Sequence, residues 1–169
     1  MKQPRGFTLI ELMITVAIAA VLMGIVLPAL SGLVYRTQVS TATNELSAQL
    51  ALARSEAVSR GRTAAVCGSS DGTACDGQWS QGFAVWVDND RNNSPSSAEI
   101  RRFFQQPANI ALTAAVSEVA FDARGRRVGA DPAFLLVHEQ CSTKRKYANR
   151  IQVGSTGRTQ YTPTTCQGN

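Results

Sequence analysis

The chain has 169 residues, 44% hydrophobic and 17% charged, with 17 Lys and Arg against 12 Asp and Glu and a formal net charge of +5. That is the composition of about one globular domain and excludes a disordered chain. Four cysteines and one histidine are too few soft ligands for a multi-zinc protein, and no G-x-x-x-x-G-K-[ST] stretch is present to cradle a nucleotide phosphate.

Charge is unevenly placed, because residues 12–35 carry none. As a helix at about 1.5 Å per residue they would reach about 36 Å, more than a hydrocarbon core of about 30 Å. Lys2 and Arg5 ahead of them put the N-terminal end on the cytoplasmic side. A secretory signal peptide with Ala17-Ile18-Ala19 as its cleavage site competes with this reading. Against it, the apolar run continues through Val21, Leu22, Met23, Ile25, Val26 and Leu27, and Glu11 sits where only apolar residues belong.

Gly6-Phe7-Thr8-Leu9-Ile10-Glu11-Leu12, behind a short basic leader, resembles the class III prepilin motif of type IV pilins and type II secretion pseudopilins. The resemblance implies that a prepilin peptidase removes a leader at 1–6 by cutting after Gly6, that the new N-terminal Phe7 is N-methylated, and that residues 7–35 stay as a single-pass inner-membrane anchor. It also implies that Glu11 pairs with the Phe7 amine of a neighbouring subunit in a filament, and that Pro28 stands where such proteins bend the helix. A carboxylate in lipid gains most from a buried cationic partner; the competing reading places Glu11 in the headgroup region, favoured by the helix dipole. Pro28 lacks a backbone donor and crowds the preceding turn, so a bend or melted stretch is expected over 24–28.

Residues 36–60 read as the amphipathic half of the same helix, with Val39, Leu46, Leu50, Ala53 and Ala57 on one stripe and Gln38, Ser47, Arg54, Ser55 and Glu56 largely off it. Gly61 is the expected stop. A helix over 7–60 would be about 80 Å long. Beyond it the pattern turns to short β-prone runs at 63–67, 82–87, 100–104, 116–121, 134–138, 151–155 and 158–161, separated by turn residues. The expected class is α+β: an antiparallel sheet or sandwich head over 61–169, periplasmic, packed on the helix stripe. Its expected core is Val66, Phe83, Val85, Trp86 or Val87, Ile100, Phe121, Leu135 and Val153.

Further motifs narrow the resemblance: Ala53-Arg54-Ser55-Glu56-Ala57-Val58, Trp79-x-x-Gly82-Phe83-x-Val85, Asp88 and Asp90, Phe121-x-x-x-Gly125, and Gly157-Arg158 ahead of Cys166. Together these are similar to the type II secretion protein H and FimT/FimU minor pilin group, whose fold is type IV pilin-like. The resemblance implies a non-enzymatic minor pilin that waits in the inner membrane and enters a type IV pilus near its tip, priming assembly with other minor and major pilins. The alternatives it leaves are the equivalent pseudopilin of a type II secretion system and, in another class, a DNA-binding minor pilin for natural transformation.

Cys67, Cys75, Cys141 and Cys166 form an even set in a compartment that favours oxidation. Three pairings are open; local loop closure at strand ends favours Cys67 with Cys75 and Cys141 with Cys166. His138 reads as a strand-end side chain rather than a catalytic base. Asp88, Asp90, Asn92 and Glu99 stand at positions one, three, five and twelve of a calcium loop, with Asn93 in place of its turn glycine. The competing reading is an ion-free hairpin tip, since Asp and Asn favour turns, and no cofactor other than calcium has a ligand set here.

The tail is basic, with Arg124, Arg126, Arg127, Lys144, Arg145, Lys146, Arg150 and Arg158 against Asp131 and Glu139. Lys144, Arg145, Lys146 and Arg150, beside Tyr147 and Tyr161, have the chemistry to hold a nucleic-acid backbone and stack bases. The resemblance to FimT-like proteins implies DNA contact through a Gly-Arg-x-Arg motif near the C-terminus, whereas Gly157-Arg158-Thr159-Gln160 lacks the second Arg. The favoured reading is therefore contact with an acidic neighbouring subunit. The Asp71 to Glu99 region, with Asp71, Asp76, Asp88, Asp90 and Glu99 against Arg91, offers such acid on a like chain.

Overall fold

The computed structural model describes residues 7–142 and 147–166, without the side chains of positions 25–29. It forms two compact units, Met1–Tyr35 and Arg36–Asn169. One helix, α1 (Leu9–Arg60), contributes to both. Thr8 starts it: its Oγ1 accepts the Glu11 backbone N–H at 3.3 Å and its carbonyl accepts that of Leu12 at 3.2 Å, giving partners to donors a helix start leaves open. Gly61 stops it at φ 61°, with its N–H donating to Val58 and that of Arg62 to Ala57, the paired bonds of a Schellman stop.

In the first unit every described side chain from 7 to 24 is exposed, Leu9, Ile10, Leu12, Met13 and Ile14 among them. Among the described residues no helix is long and apolar enough to cross a membrane. The uncharged run of the sequence passes through positions 25–29, whose side chains lie outside the description. α1 is helical without a break through Pro28, so the melting expected over 24–28 does not occur. One lost backbone bond is bridged by the cooperativity of the turns on either side.

Among its described residues the second unit carries nine strands: β1 (Ala64–Gly68), β2 (Gly82–Val87), β3 (Ile100–Gln105), β4 (Ile110–Ala114), β5 (Glu118–Phe121), β6 (Arg127–Val128), β7 (Ala133–His138), β8 (Ala148–Val153) and β9 (Thr159–Thr164). They pair antiparallel in two sheets, of order β3-β2-β1-β5-β6 and β4-β7-β8-β9. β4 and β6 fall outside the β-prone runs of the sequence, since IALTA is short and RV too short to show a period.

The core lies where both sheets meet α1. Val39, Ala42, Leu46, Leu50, Ala53 and Ala57 recur at spacings of three and four and are buried against Val66, Phe83, Val85, Val87, Val119 and Phe121 of the first sheet and Ile110, Leu112, Phe134, Leu136, Ile151 and Val153 of the second. Trp79 closes it, edge-on to Phe134 with ring centroids 4.9 Å apart, and its indole N–H donates to Val116 at 2.7 Å.

Leu135 and Ile100 differ from the expected core, and of the pair Trp86 or Val87 it is Val87 that enters it. Leu135 faces outward, because β7 is buried at Phe134, Leu136 and His138, the opposite phase of its alternation. Trp86 belongs to a second cluster on the far face of β1 and β2 with Ala65, Cys67 and Ala84, and Ile100 packs against that cluster. β2 is thus buried on both faces, which is why its sequence is a continuous apolar run.

Candidate functional site

At the N-terminus Phe7 and Glu11 are exposed, while Gly6 lies outside the described residues. Thr8 is a residue that the composition did not single out, although Thr8-x-x-Glu11 carries the signal of a capping box. Its hydroxyl fixes the first turn and so the position of Glu11 on it. Pro28 lies within α1, and its side chain is not described.

At the other end of α1, Arg54 is the residue on which the head turns converge. Its Nε donates to the Gly125 carbonyl at 2.9 Å. Gly125 (φ 72°) and Gly157 (φ 75°) both occupy the left-handed region. A Cβ on Gly125 would stand 2.9 Å from Val58 Cγ2, and one on Gly157 would collide with the Gly125 carbonyl and reach 3.0 Å from Arg54 Nε. The β5–β6 and β8–β9 turns therefore close on one helix side chain, and the glycines permit it.

The acidic loop after β2 brings three of its four expected ligands together: oxygen atoms of Asp88, Asp90 and Glu99 all lie within 4.8 Å of one another. Asn92 lies beside them as a donor, its side-chain N–H going to Asp90 Oδ2 at 2.8 Å, while its Oδ1 accepts the Ser94 N–H at 2.6 Å. The carboxylates are engaged with the loop itself. Asp88 accepts the Asn92 and Asn93 amides, Asp90 accepts the Asn92 amide and side-chain N–H, and Glu99 accepts the Asn89 amide and the Ser96 amide and hydroxyl. The Asn89 amide first, then the Ser96 hydroxyl, hold the Glu99 carboxyl below its ordinary value. Asn93 takes the left-handed conformation at φ 56°, and so does Arg91 at φ 65°.

The basic tail does not gather into one patch among the described residues, and Lys144, Arg145 and Lys146 lie outside them. Arg150 pairs with Leu135 and Thr162 on the outward face of the second sheet, whereas Tyr161 is the partner of the inward Ile151. Neighbours in register share a face, so Arg150 and Tyr161 point to opposite sides and cannot grip one strand of nucleic acid together. Arg158 stands apart at the β8–β9 turn. Arg127 is tied to Gly129, Ala130 and Asp131 instead of facing a partner.

Disulfides join Cys67 to Cys75 and Cys141 to Cys166. His138 is the last residue of β7, the strand-end position expected of it, and it is buried there. It is 2% exposed, its Nδ1 accepts the Gln140 N–H at 3.0 Å, and the remaining ring N–H on Nε2 faces Gln38 Oε1 at 2.8 Å, tying β7 to α1. That tie also draws Gln38 inward, against its expected polar placement. Gly68-Ser69-Ser70-Asp71-Gly72 has the spacing of a nucleophile elbow, but it follows β1 into a loop with no helix after it, and Ser70 Oγ donates to Asp76 at 2.5 Å. The only histidine is committed elsewhere, so no triad forms.

Comparison with known proteins agrees with this arrangement. Residues 42–157 match the family model of the type II transport protein GspH, and residues 1–27 match that of the prokaryotic N-terminal methylation motif. A curated fimbrial protein of Pseudomonas aeruginosa is 42% identical over 83 residues, 49% of this chain and 51% of that protein. The chain thus spans about half the length of the curated relatives it matches. The crystal structure of the type IV minor pilin FimU of Pseudomonas aeruginosa superposes with a TM-score of 0.59 at 22% identity, over 76% of this chain and 90% of that one. The minor pseudopilin EpsH of the Vibrio cholerae Type 2 Secretion System gives 0.53 at 10% identity, over 75% and 97%. Both likenesses concern the fold: a long N-terminal helix on antiparallel sheets.

Proposed function

The chain belongs to the GspH family of type II transport proteins, and from that premise we propose that it is a minor pilin, held in the inner membrane by its N-terminal segment and incorporated into a type IV pilus near the tip, where it primes assembly with other pilins. The observation that carries this reading is the joining of an N-terminal methylation motif at 1–27 to a GspH head at 42–157. The exposed apolar side chains over 7–24 support it, because such a surface needs lipid or neighbouring helices around it.

In this reading prepilin peptidase cuts after Gly6, Phe7 is methylated, the N-terminus lies on the cytoplasmic side and the disulfide-bonded head in the periplasm. Glu11, fixed in the first turn by Thr8, pairs with the Phe7 amine of the next subunit. The task is structural and needs no catalytic group. The family model itself favours a second reading, the corresponding pseudopilin of a type II secretion system. Identification of the subunits that co-purify from native membranes separates the two.

Intact-mass measurement tests the proposal in cells with active prepilin peptidase: the mature chain is expected to begin at methylated Phe7. A chain beginning after Ala19, or still at Met1, overturns it. Glu11→Leu is expected to leave the protein in the membrane with a folded head and out of filaments; normal incorporation would remove the pairing.

A further inference from the structure

A groove of about 550 Å³ opens between the C-terminal turns of α1 and the start of β9, walled by Ala51, Arg54, Ser55 and Val58 on one side and Arg158 and Thr159 on the other. Val58 is 52% exposed there, so part of the floor is apolar. Among the described residues the two arginines are its only charged lining and neither has an acidic partner, the ion pairs there being Arg60 with Glu56, Arg126 with Asp122 and Arg127 with Asp131. Arg54 is held in place by the Gly125 carbonyl through Nε and by the close approach of Gly157. Its guanidinium is therefore ordered before any partner arrives, which lowers the entropic cost of binding.

We propose that this groove is a docking slot for an acidic segment of a different subunit, with a carboxylate received by Arg54 and Arg158 and flanking apolar side chains laid on Val58 and Ala51. The inference rests on the assembly reading above and adds to it the place of contact and the chemistry of the partner. Two guanidinium groups over an apolar floor match a carboxylate on an amphipathic peptide. Among the described residues no aromatic side chain lines the groove to stack a base, and two cations are few for a strand of phosphates, so nucleic acid fits less well. Removal of residues 1–6 takes Lys2 and Arg5 and leaves 15 Lys and Arg against 12 Asp and Glu, a net charge of +3, which favours a partner of net negative charge over a second copy of this chain.

The test uses the full chain in detergent micelles and fluorescently labelled capped peptides, Leu-Asp-Leu-Glu-Leu and its amide counterpart Leu-Asn-Leu-Gln-Leu, with a thymidine oligonucleotide and a short DNA duplex as competitors. The acidic peptide is expected to bind saturably, at least tenfold more tightly than the amide peptide. Arg158→Gln is expected to weaken it about tenfold, and Arg102→Gln, on the edge strand β3, to leave it unchanged. Equal binding of both peptides, insensitivity to Arg158→Gln, or displacement by either DNA at equal concentration overturns the proposal. In cells Arg158→Gln is expected to be processed and membrane-held but poorly incorporated. If it loses the peptide yet enters filaments normally, the docking slot is wrong and the pilin reading stands; if the unaltered chain enters no filament, the pilin reading itself fails.

Discussion

Gly125 and Gly157 show how single residues set the shape of the head. Each sits at a positive φ and each faces atoms of the other turn or of α1 at less than the separation a Cβ tolerates. Gly157→Ala therefore meets two penalties, a strained backbone and a clash with a carbonyl that cannot swing away, and is expected to cost about 2–4 kcal/mol. Gly129→Ala is the control. Its φ is 85° but nothing lies within 4 Å of its Cβ, so only the backbone penalty of about 1 kcal/mol applies. Chemical denaturation of the two variants checks the difference, and equal losses would mean that the Arg54 junction is not tightly packed.

Among the elements, β7 carries the most consequential phase. Its alternation offers Leu135 or Leu136 to the core, and register with Ile151 through Phe134 selects Leu136. Leu136→Ala is expected to cost about 2–5 kcal/mol and Leu135→Ala under about 1 kcal/mol, read as shifts in denaturation midpoint. The reverse order would restore the phase read from the sequence. The loop between β2 and β3 is an element held by its own hydrogen bonds, since every oxygen of Asp88, Asp90 and Glu99 accepts from a neighbouring N–H or hydroxyl. Millimolar calcium is accordingly expected to leave the melting temperature unchanged; a rise of several degrees would make the loop an ion site.

For the molecule as a whole, pH reports the balance of its carboxylates. Thr73 holds Asp71, Ser70 holds Asp76, the Asn89 amide holds Glu99 and the Arg126 amide holds Asp122 below their ordinary values, while burial pushes Glu118 up. For the first four, the unfolded chain binds protons at a higher pH than the folded one, so their stabilisation is complete above about pH 5 and is lost as pH falls through about 4 and below. Glu118 has the opposite sign: the folded state keeps its proton longer, and stability is lost as pH rises through its raised value. Glu118→Gln is thus expected to raise the melting temperature at pH 7 and to change it little below pH 4. A variant that melts lower than the parent at pH 7 would contradict the burial of an ionised Glu118.

The helix, its stripe, its glycine stop and most strand positions are legible in the chain of residues alone, because periodicity and turn chemistry are local properties of consecutive residues. The N-terminal and head motifs also carried the family. Which face of β7 is buried, the meeting of His138 with Gln38 100 positions away, and the convergence of two distant glycine turns on Arg54 come from the packed chain alone. Folding also separated Arg150 from Tyr161 and engaged the Asn92 Oδ1 with the Ser94 N–H. All but the last of these depend on strand register and on packing between segments far apart in the chain, and a one-residue change of register reverses the face of every side chain on a strand while leaving the local pattern of the sequence untouched.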